Sequence, residues 1–317
     1  MNPIRIGTRG SALALWQARH VAARLQALDP GLQVTLVEIA STGDRVTDLP
    51  LAEVEGTGFF TATLERALLD GAVDVAVHSH KDLPVADTPG LVVAAVPERG
   101  PIEDVLCARD GLTLTTLPPG ARIGTCSTRR TAQVLARRPD LDVRPLRGNV
   151  PTRVGRVTSG ELDAVVLVLA GLRRLGLDGH VTETFAVADF LPAPAQGALA
   201  VECRADDRAV AALLATLDDP TTRRAITAER ALMHALGGGC SVPVGAVATG
   251  GGKSLELTAG VFGVDGRRAV RASGRGDDAA ALGLSVARAL LAQGAGEILA
   301  ASEKAARIAA AAAEVRS

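Results

Sequence analysis

The chain has 317 residues with 34 basic and 35 acidic side chains, so its formal net charge is −1. Hydrophobic residues make up 47% of it, which predicts a folded protein of two or three domains. Only 2% of the residues are aromatic, which disfavours a surface that stacks single-stranded bases on rings. The near-zero charge argues against a generally basic DNA-coating surface, and we expect no nucleic-acid partner.

The N-terminal segment lacks the apolar core of a secretory signal, and no run approaches the length of a membrane span. We therefore expect a cytoplasmic protein without a membrane partner. We also expect a monomer, because no apolar helix face is left over. Four scattered cysteines without metal-ligand spacing predict reduced thiols and no zinc site. They are Cys107, Cys126, Cys203 and Cys240.

The first hundred residues alternate between strand and helix patterns. Ser11 has the character of a helix N-cap, and the Asp29-Pro30-Gly31 turn is a typical helix stop. Residues 41–58 are polar and contain several glycines, which predicts a long mobile loop. The predicted elements are a strand at 5–8, a helix at 11–28, a strand at 34–40, a helix at 59–69 and a strand at 73–78.

The strand-turn-helix pattern recurs in the second hundred residues. Ile123-Gly124-Thr125 resembles Ile6-Gly7-Thr8, and each is followed by a serine and a helix. Such units predict two α/β domains of like topology with largely parallel sheets and ligands at the strand C-terminal ends. Three later strand-like runs (244–249, 254–264 and 268–274), flanked by helical segments, predict a small α+β domain.

Two proline-containing segments are candidate crossings between the first two domains. Pro97–Pro101 is the first and Pro192–Gly197 is the second. Two crossings predict that the chain returns to its first domain after leaving it. The predicted boundaries are 1–98 with 197–217 for α/β domain 1, 102–192 for α/β domain 2, and 220–317 for the α+β domain.

Arginines are concentrated between residues 122 and 156. This window holds nine arginines and two aspartates, which leaves a local charge of +7. The turns at Thr125–Arg130 and Arg147–Arg153 are strand-to-helix turns, where free N–H groups and guanidinium forks favour an anion with several carboxylates or phosphates. The alternative is a solvated basic face, which we expect for Arg137 and Arg138.

His78-Ser79-His80-Lys81-Asp82 follows a buried strand, where open α/β sheets place ligands. The two histidines make a metal pair conceivable, but no third ligand accompanies them. Asp82 is either half of a surface ion pair with Lys81 or a carboxylate that stabilises a cation. The sequence leaves these two alternatives open.

Three glycines precede Cys240, so a bulky group has access to its thiol. A structural cysteine usually lies in an apolar run instead, which modestly favours a reactive or modified thiol here. Cys126, in the first arginine turn, is the competing thiol. Cys107 and Cys203 lie in strand-like segments and are predicted to be structural.

Several motifs in order along the chain resemble the porphobilinogen deaminase family. The resemblance covers about Ile4 to Leu299. Its motifs are Arg9-Gly10-Ser11, Leu15-Trp16-Gln17-Ala18, His78 to Pro84, Ile123 to Arg130, Leu146-Arg147-Gly148-Asn149 with Thr152-Arg153, Pro194-Ala195-Gln196-Gly197, and Gly239-Cys240 with Val242-Pro243. It departs from the family pattern at Thr57, His80, Cys126 and Thr128.

The resemblance implies three α/β domains, the first two shaped like periplasmic binding proteins. It implies an enzyme that joins four porphobilinogen molecules with loss of ammonia to give hydroxymethylbilane. A dipyrromethane cofactor, held by a thioether on Cys240, primes the reaction, and Asp82 is the catalytic carboxylate. The implied cofactor-binding residues are Ser79, Lys81, Thr125, Ser127, Arg129, Arg130 and Gln196. The implied substrate-binding residues are Arg9, Ser11, Gln17, Phe60, Arg147, Arg153 and Arg174.

A two-lobed dicarboxylate-binding protein without catalysis is the alternative hypothesis. It accounts for the two domains and the arginine turns. It leaves Gly239-Cys240 and the third domain unexplained.

Overall fold

The computed structural model describes residues 3–40, 61–238, 242–252 and 254–314, with the side chains of 306–314 left aside. Its strands are β1 (Ile4–Thr8), β2 (Val34–Glu38), β3 (Val75–Ser79), β4 (Leu91–Ala95), β5 (Asp104–Ala108), β6 (Arg122–Gly124), β7 (Asp142–Arg144), β8 (Ala164–Val168), β9 (Glu183–Thr184), β10 (Leu199–Arg204), β11 (Val244–Thr249), β12 (Leu255–Phe262) and β13 (Ala269–Gly276). Its helices are α1 (Ala12–Leu28), α2 (Ala62–Leu69), α3 (Thr128–Arg137), α4 (Val150–Thr158), α5 (Leu169–Arg174), α6 (Arg208–Ala215), α7 (Pro220–Ala235), α8 (Ala279–Ala292) and α9 (Ala295–Glu314).

The first α/β domain is built on a sheet whose strand order, in the described chain, is β2-β1-β3-β10-β4. β1 pairs in parallel with β2 and β3, so the C-terminal ends of β1 and β3 meet at one edge. Helices α1 and α6 cover it with fully buried side chains such as Val21, Leu25 and Leu214. Burying each such side chain contributes about 1.5–3 kcal/mol.

The second α/β domain repeats this order with β7-β6-β8-β5-β9 among the described strands. β6 pairs in parallel with β7 and β8, so the turns that follow β6 and β8 lie at one edge of the sheet. Leu106, Ile123 and Val134 are fully buried in its core. The sequence repeat that predicted two like domains is matched by this shared strand order.

In each described sheet four of the five strands run in the same direction, as expected for a largely parallel sheet, and one strand runs opposite to them. β10 runs antiparallel to β3 and β4, and β5 runs antiparallel to β8 and β9. The physical reason is the chain path. β5 and β10 each follow a crossing from the other domain, so each enters its sheet from the opposite end.

The C-terminal part is the expected small α+β domain. Its described strands form an antiparallel sheet in the order β11-β12-β13. Helices α7 and α8 pack on it through fully buried Leu232, Leu257 and Leu290. The three strands predicted in this domain agree with β11, β12 and β13 to within two residues at each end.

The two crossings contact each other directly. The Gly100 N–H donates to the Gly197 carbonyl oxygen (3.2 Å). Gly197 has φ +86°, and a Cβ built there would lie 2.7 Å from the carbonyl oxygens of Gly100 and Pro101. Only glycine satisfies both constraints, because it tolerates a positive φ and carries no Cβ.

Glu229 of α7 joins these crossings to the third domain. Its carboxylate, 0% exposed, accepts two hydrogen bonds from the Arg99 guanidinium (2.7 and 3.0 Å). It also accepts hydrogen bonds from the backbone N–H groups of Ala195 (2.6 Å) and Ala248 (2.8 Å). A buried carboxylate is tolerated when it is paired and fully hydrogen-bonded, as here.

Among the described helices, no single one is long and apolar enough to span a membrane. Only the pair Ala279–Ala292 and Ala295–Ala305, bent by 81°, is long and apolar enough when the two helices are taken together.

We predict that Arg99→Ala lowers the free energy of unfolding by about 3–5 kcal/mol, because Glu229 is left as an uncompensated buried charge. Arg275→Ala is the matched control. Arg275 pairs with Glu256 on the surface (2.8 Å), and its loss should cost less than about 1 kcal/mol. Urea denaturation of the three proteins measures both values. Equal losses in the two variants would contradict the importance of the buried pair.

Candidate active site

The candidate site begins where β3 ends. Ser79 accepts a hydrogen bond from the buried Gln17 amide nitrogen of α1 (2.8 Å), which links two of the predicted binding residues. A single 3₁₀ turn, His80–Asp82, follows. It leaves the Asp82 side chain exposed and Lys81 half-buried. Burial lowers the pKa of Lys81 to about 8, although Asp82 and Asp104 oppose the shift.

Arg9 and Ser11 lie at the same edge of the first sheet. Arg9 follows β1, whose C-terminal end lies beside that of β3. Ser11 caps α1 by accepting a hydrogen bond from the Ala14 N–H (3.3 Å), as its sequence position predicted.

The turn between β6 and α3 is the corresponding feature of the second domain. Thr125 is buried, and its hydroxyl accepts a hydrogen bond from the Ser127 N–H (3.2 Å). The Ser127 hydroxyl in turn caps α3 at the Arg130 N–H (3.4 Å). Helix N-termini of this kind carry positive potential toward a bound anion.

Arg129 and Arg130 are buried and bind a carboxylate that the sequence analysis did not single out. The Arg130 guanidinium donates twice to Oδ1 of Asp104 (3.1 and 2.7 Å), and Arg129 donates to Oδ2. The Gln196 amide nitrogen adds a hydrogen bond to Oδ1 (2.9 Å). These contacts hold the pKa of Asp104 well below its usual range. Much of the hydrogen-bonding capacity of the two arginines is therefore used within the protein.

The Arg129 and Arg130 guanidinium groups also donate to backbone carbonyl oxygens of Leu191 (2.6 Å) and Val166 (3.0 Å). Nε of Arg129 is buried and has no hydrogen-bond partner among the described residues. A buried donor without a partner carries a free-energy cost, which a bound acceptor would remove.

The second arginine turn joins β7 to α4. Asn149 caps α4 by accepting a hydrogen bond from the Thr152 N–H (2.9 Å), and Pro151 occupies the first turn of that helix. Nε of Arg153 donates to the Gly148 carbonyl oxygen (2.7 Å). Within the described chain, Nη2 of Arg147 is buried without a hydrogen-bond partner.

Electrostatic coupling shows which of these residues lie near one another. Burial and Arg130 lower the pKa of Arg153, while Cys126 and Asp82 act in the opposite direction. Lys81 is coupled to Asp82, Asp104 and both buried arginines. The structure therefore brings Asp82 of the first domain close to cations of the second.

The net positive charge around residues 122–156 is smaller than the +7 obtained by counting charges within that window. Arg122, Arg138, Arg144 and Arg156 pair with Asp163, Asp140, Asp142 and Glu161, and Arg129 and Arg130 pair with Asp104. Three of these acidic residues lie outside the window, so counting within it overestimated the excess. Of its nine arginines, Arg147 and Arg153 are the ones best placed for an external anion.

The expectation that Arg137 and Arg138 form a solvated face is correct only in part, because Arg137 is exposed but Arg138 is half-buried. Arg137 lies over the Phe190 ring at 5.3 Å from its centroid. Arg138 donates to the carbonyl oxygens of Leu114 (2.7 Å) and Leu117 (2.9 Å). Long basic side chains pack along neighbouring structure in this way, which the helix pattern alone did not reveal.

Arg174 lies apart from the Lys81–Arg153 group. It donates to the Gly197 carbonyl oxygen (2.7 Å) at the crossings and lies 5.5 Å from the Trp16 ring centroid. Burial lowers its pKa to about 10. It lines a separate cavity of about 340 Å³ with His20 and Arg24.

Two predicted site residues, Phe60 and Cys240, lie outside the described residues, as do the 41–58 loop and Thr57. Cys107 and Cys203 are buried, and burial raises the pKa of each thiol to about 11. Cys126 is half-buried and contacts the Leu146 carbonyl oxygen. No group of three His, Cys, Asp or Glu side chains in the described part of the chain is placed to hold a metal ion.

Sequence reasoning missed Asp104 and Glu229. Asp104 opens a strand that is otherwise apolar, and Glu229 lies in the middle of a helix whose neighbouring residues face the core. An acidic residue in a segment predicted to be buried needs a partner. An acidic residue within a segment predicted to be buried was therefore the sequence signal that could have identified Asp104 and Glu229.

Two family models cover most of the chain. Residues 4–212 match the model described as the dipyrromethane cofactor binding domain of porphobilinogen deaminase, and residues 223–292 match its C-terminal domain. The chain belongs to the porphobilinogen deaminase family. The family model thus identifies the first two-thirds of the chain as a dipyrromethane-binding region.

Curated members of this family are similar over nearly the whole chain. The porphobilinogen deaminase of Brevibacillus brevis is 46% identical over 301 residues, covering 95% of this chain and 97% of the relative. That of Mycolicibacterium paratuberculosis is 52% identical over 307 residues, covering 93% and 96%. The aliphatic sulphonate binding protein SsuA of Escherichia coli matches 74% of this chain and 70% of its own with 16% identity and a TM-score of 0.41, a likeness too weak to support any argument.

We predict that Asp104→Asn lowers the free energy of unfolding at pH 7 by about 3–5 kcal/mol, because two buried guanidinium groups lose their counter-ion. A lowered carboxyl pKa contributes stability above the unfolded value near 4, and that contribution is lost as pH falls below it. The difference in the free energy of unfolding between the parent protein and the variant should therefore decrease from pH 5 toward pH 2. Urea denaturation at several pH values measures it, with the exposed Asp142→Asn as control, and a constant difference would contradict the assignment.

Proposed function

We propose that this chain joins four porphobilinogen units head to tail, releasing ammonia at each step, and that water then releases hydroxymethylbilane. The observation that carries the proposal is the position of Asp82, an exposed carboxylate at a strand end among cations of the facing domain. Family membership supports the same transferase chemistry. The alternative of a binding protein without catalysis is not favoured, because family models match the third domain as well as the first two.

The substrate's charge explains the cations. Each pyrrole unit carries an acetate and a propionate, so the growing chain gains two negative charges per step. Arg147 and Arg153 would bind these carboxylates, since Nη2 of Arg147 is buried without a described partner and Arg153 lies within electrostatic range of Asp82. Arg9, Ser11 and Gln17 would contact substrate from the first domain, and their location at the sheet edge of Ser79 supports this proposal. Phe60 is included in this proposal from the family resemblance alone.

Asp82 is proposed to act at the bond that breaks. The aminomethyl C–N bond of porphobilinogen is cleaved, the amine leaves with a proton as ammonia, and a cation remains on the pyrrole. A carboxylate can hold the pyrrole N–H, help to protonate the leaving amine and stabilise the cation. The pyrrole carbon that attacks then loses its proton, which restores the ring.

Dipyrromethane is the cofactor that this family model implies, and the residues present fit it. Nε of Arg129 and Nη2 of Arg147 are buried donors without described partners, as a carboxylate-rich group requires. We propose Ser79, Lys81, Thr125 and Ser127 as further contacts. Arg130 and Gln196 would act mainly by holding Asp104 and the turn in place. When bound, the cofactor supplies the pyrrole carbon from which the chain grows.

Cys240 is proposed as the attachment residue. It lies in the connection between α7, which ends at Ala235, and β11, which begins at Val244. Glu229 anchors α7 to both crossings, so that connection starts from a fixed point near the two α/β domains.

We further propose the boundaries 1–98 with 197–217, 102–192 and 220–317 for the three domains. Arg174, at the crossings, would bind carboxylates of a chain that extends toward them. We also propose a cytoplasmic monomer without a nucleic-acid or membrane partner. The near-zero net charge supports the absence of a nucleic-acid partner.

Asp82→Asn should retain the cofactor and lose turnover by about 10²–10⁴-fold, the usual contribution of a positioned acid or base. Steady-state kinetics with porphobilinogen, together with intact mass, measures both properties. Asp87→Asn is the matched control, because Asp87 is also exposed and follows five residues later. Near-normal turnover in Asp82→Asn would refute the role of Asp82.

The intact mass of the purified protein should exceed that of the bare sequence by the mass of one dipyrromethane. Cys240→Ala should lack this addition, whereas Cys126→Ala should keep it, since Cys126 is the competing thiol. The measurement requires cells that make porphobilinogen. A bare mass for the parent protein under those conditions would overturn the thioether assignment.

A further inference from the structure

A cavity of about 780 Å³ lies between the first α/β domain and the α+β domain. Its walls come from the 80–88 segment, β4, α7 and α8. None of its lining residues belongs to the proposed cofactor or substrate set. The cavity is therefore a second concave site, separate from the one in which porphobilinogen is proposed to react.

One end of this cavity is polar and deeply buried. Glu65, His80 and Glu202 line it, and both His80 and Glu202 are only 4% exposed. Among the described residues, neither Nδ1 of His80 nor Oε2 of Glu202 has a hydrogen-bond partner. Oε2 of Glu202 lies 3.3 Å from Nε2 of His78, in an orientation that does not make a hydrogen bond. Buried polar atoms in this state are rare in native proteins, and a bound donor at this end would remove their free-energy cost.

Two carboxylates, Glu65 and Glu202, lie close together at this end, and His78, Arg223 and Arg230 are the nearby basic side chains. Burial and the nearby Glu202 raise the pKa of Glu65, while hydrogen bonds from Thr88 and Thr61 oppose the shift. Burial and Arg230 lower the pKa of His80 to about 3, so His80 is neutral at pH 7 and does not balance the two carboxylates.

The arginines of the cavity wall are already engaged in other contacts. Nε of Arg223 donates to both carboxylate oxygens of Asp218 (2.9 and 2.8 Å). Arg230 donates to the carbonyl oxygens of Pro84 (2.6 Å) and Val85 (3.2 Å). The buried atoms without a described partner at the polar end include a carboxylate oxygen of Glu202 and an imidazole nitrogen of His80, which suit a ligand that donates hydrogen bonds.

Much of the remaining cavity wall is apolar, although Asp87, Thr88 and Thr227 also line it. Leu91, Val96 and Ile226 are buried there, and Leu284 of α8 contributes an exposed side chain at its margin. A ligand that fits both ends has a donor head and an apolar body of a few carbon atoms.

We propose that this cavity binds a small organic ammonium ion. The ammonium group would donate to the carboxylates of Glu202 and Glu65 and to Nδ1 of His80, and the apolar body would pack against Val96 and Ile226. Charge-assisted hydrogen bonds in a buried site are among the stronger ones available to a protein. The bound ligand would bridge the first sheet and α7, beside the turn that carries Lys81 and Asp82.

Isothermal titration calorimetry of the full-length holoenzyme with hexylammonium chloride tests the proposal. Hexan-1-ol and sodium hexanoate serve as neutral and anionic probes of the same length. We expect saturable binding of hexylammonium, at least about ten-fold weaker binding of hexanol and still weaker binding of hexanoate, because each lacks the charge-assisted contact. Equal affinity for the three probes, or no saturable binding of hexylammonium, would overturn the proposal.

Glu202→Gln should weaken hexylammonium binding by about ten-fold or more. Asp87→Asn is the matched control, because Asp87 is an exposed carboxylate that lines the same cavity. The affinity of this variant for hexylammonium should stay within about two-fold of that of the parent protein. His80→Leu provides a second variant that removes the unpartnered Nδ1 and keeps an apolar side chain, and it too should weaken binding. Circular dichroism establishes which variants are folded. Unchanged affinity in either folded variant would contradict the proposed site.

Discussion

The buried carboxylate of Asp104 is the contact on which the arrangement of the candidate site depends. It is 0% exposed and accepts hydrogen bonds from Arg129, Arg130 and Gln196. These three residues come from a helix N-terminus and a domain crossing that are far apart in sequence. A carboxylate in this position would be costly without its partners, and the arginines would be costly without it. The mutual requirement fixes the first arginine turn against the second crossing.

This arrangement changes the meaning of the arginine-rich segment. Most of its guanidinium groups neutralise carboxylates of the protein itself, and the described exceptions are few and specific. A site of this kind can distinguish ligands by geometry, because the few remaining donors have fixed directions. The pairing of the other arginines within the protein also prevents the site from binding anions non-selectively. The family's cofactor, with its several carboxylates, suits a small number of well-placed donors.

Local features of the fold could be predicted from the sequence because their causes are local. The cap at Ser11 and the stop after Leu28 depend on neighbouring residues and are present in the structure. The direction of β5 and β10 depends on the path of the whole chain, and the strand pattern contains no record of it. Likewise, Arg99 meets Glu229 across 130 positions, and no spacing rule predicts such a pair. The individual roles of Asp82 and Cys240 came from the family resemblance and stay predictions.

The close approach of the two crossings has a consequence for motion. With Gly197 against the carbonyl oxygens of Gly100 and Pro101, main chain touches main chain and no side chain lies between. This backbone contact resists sliding of one crossing past the other, because sliding would press Gly197 against the carbonyl oxygens of Gly100 and Pro101. Twisting about the line of contact changes those distances least. Rotation of the two α/β domains about this contact would change the distance between Asp82 and the cations of the second domain, while the site residues within each domain keep their mutual positions.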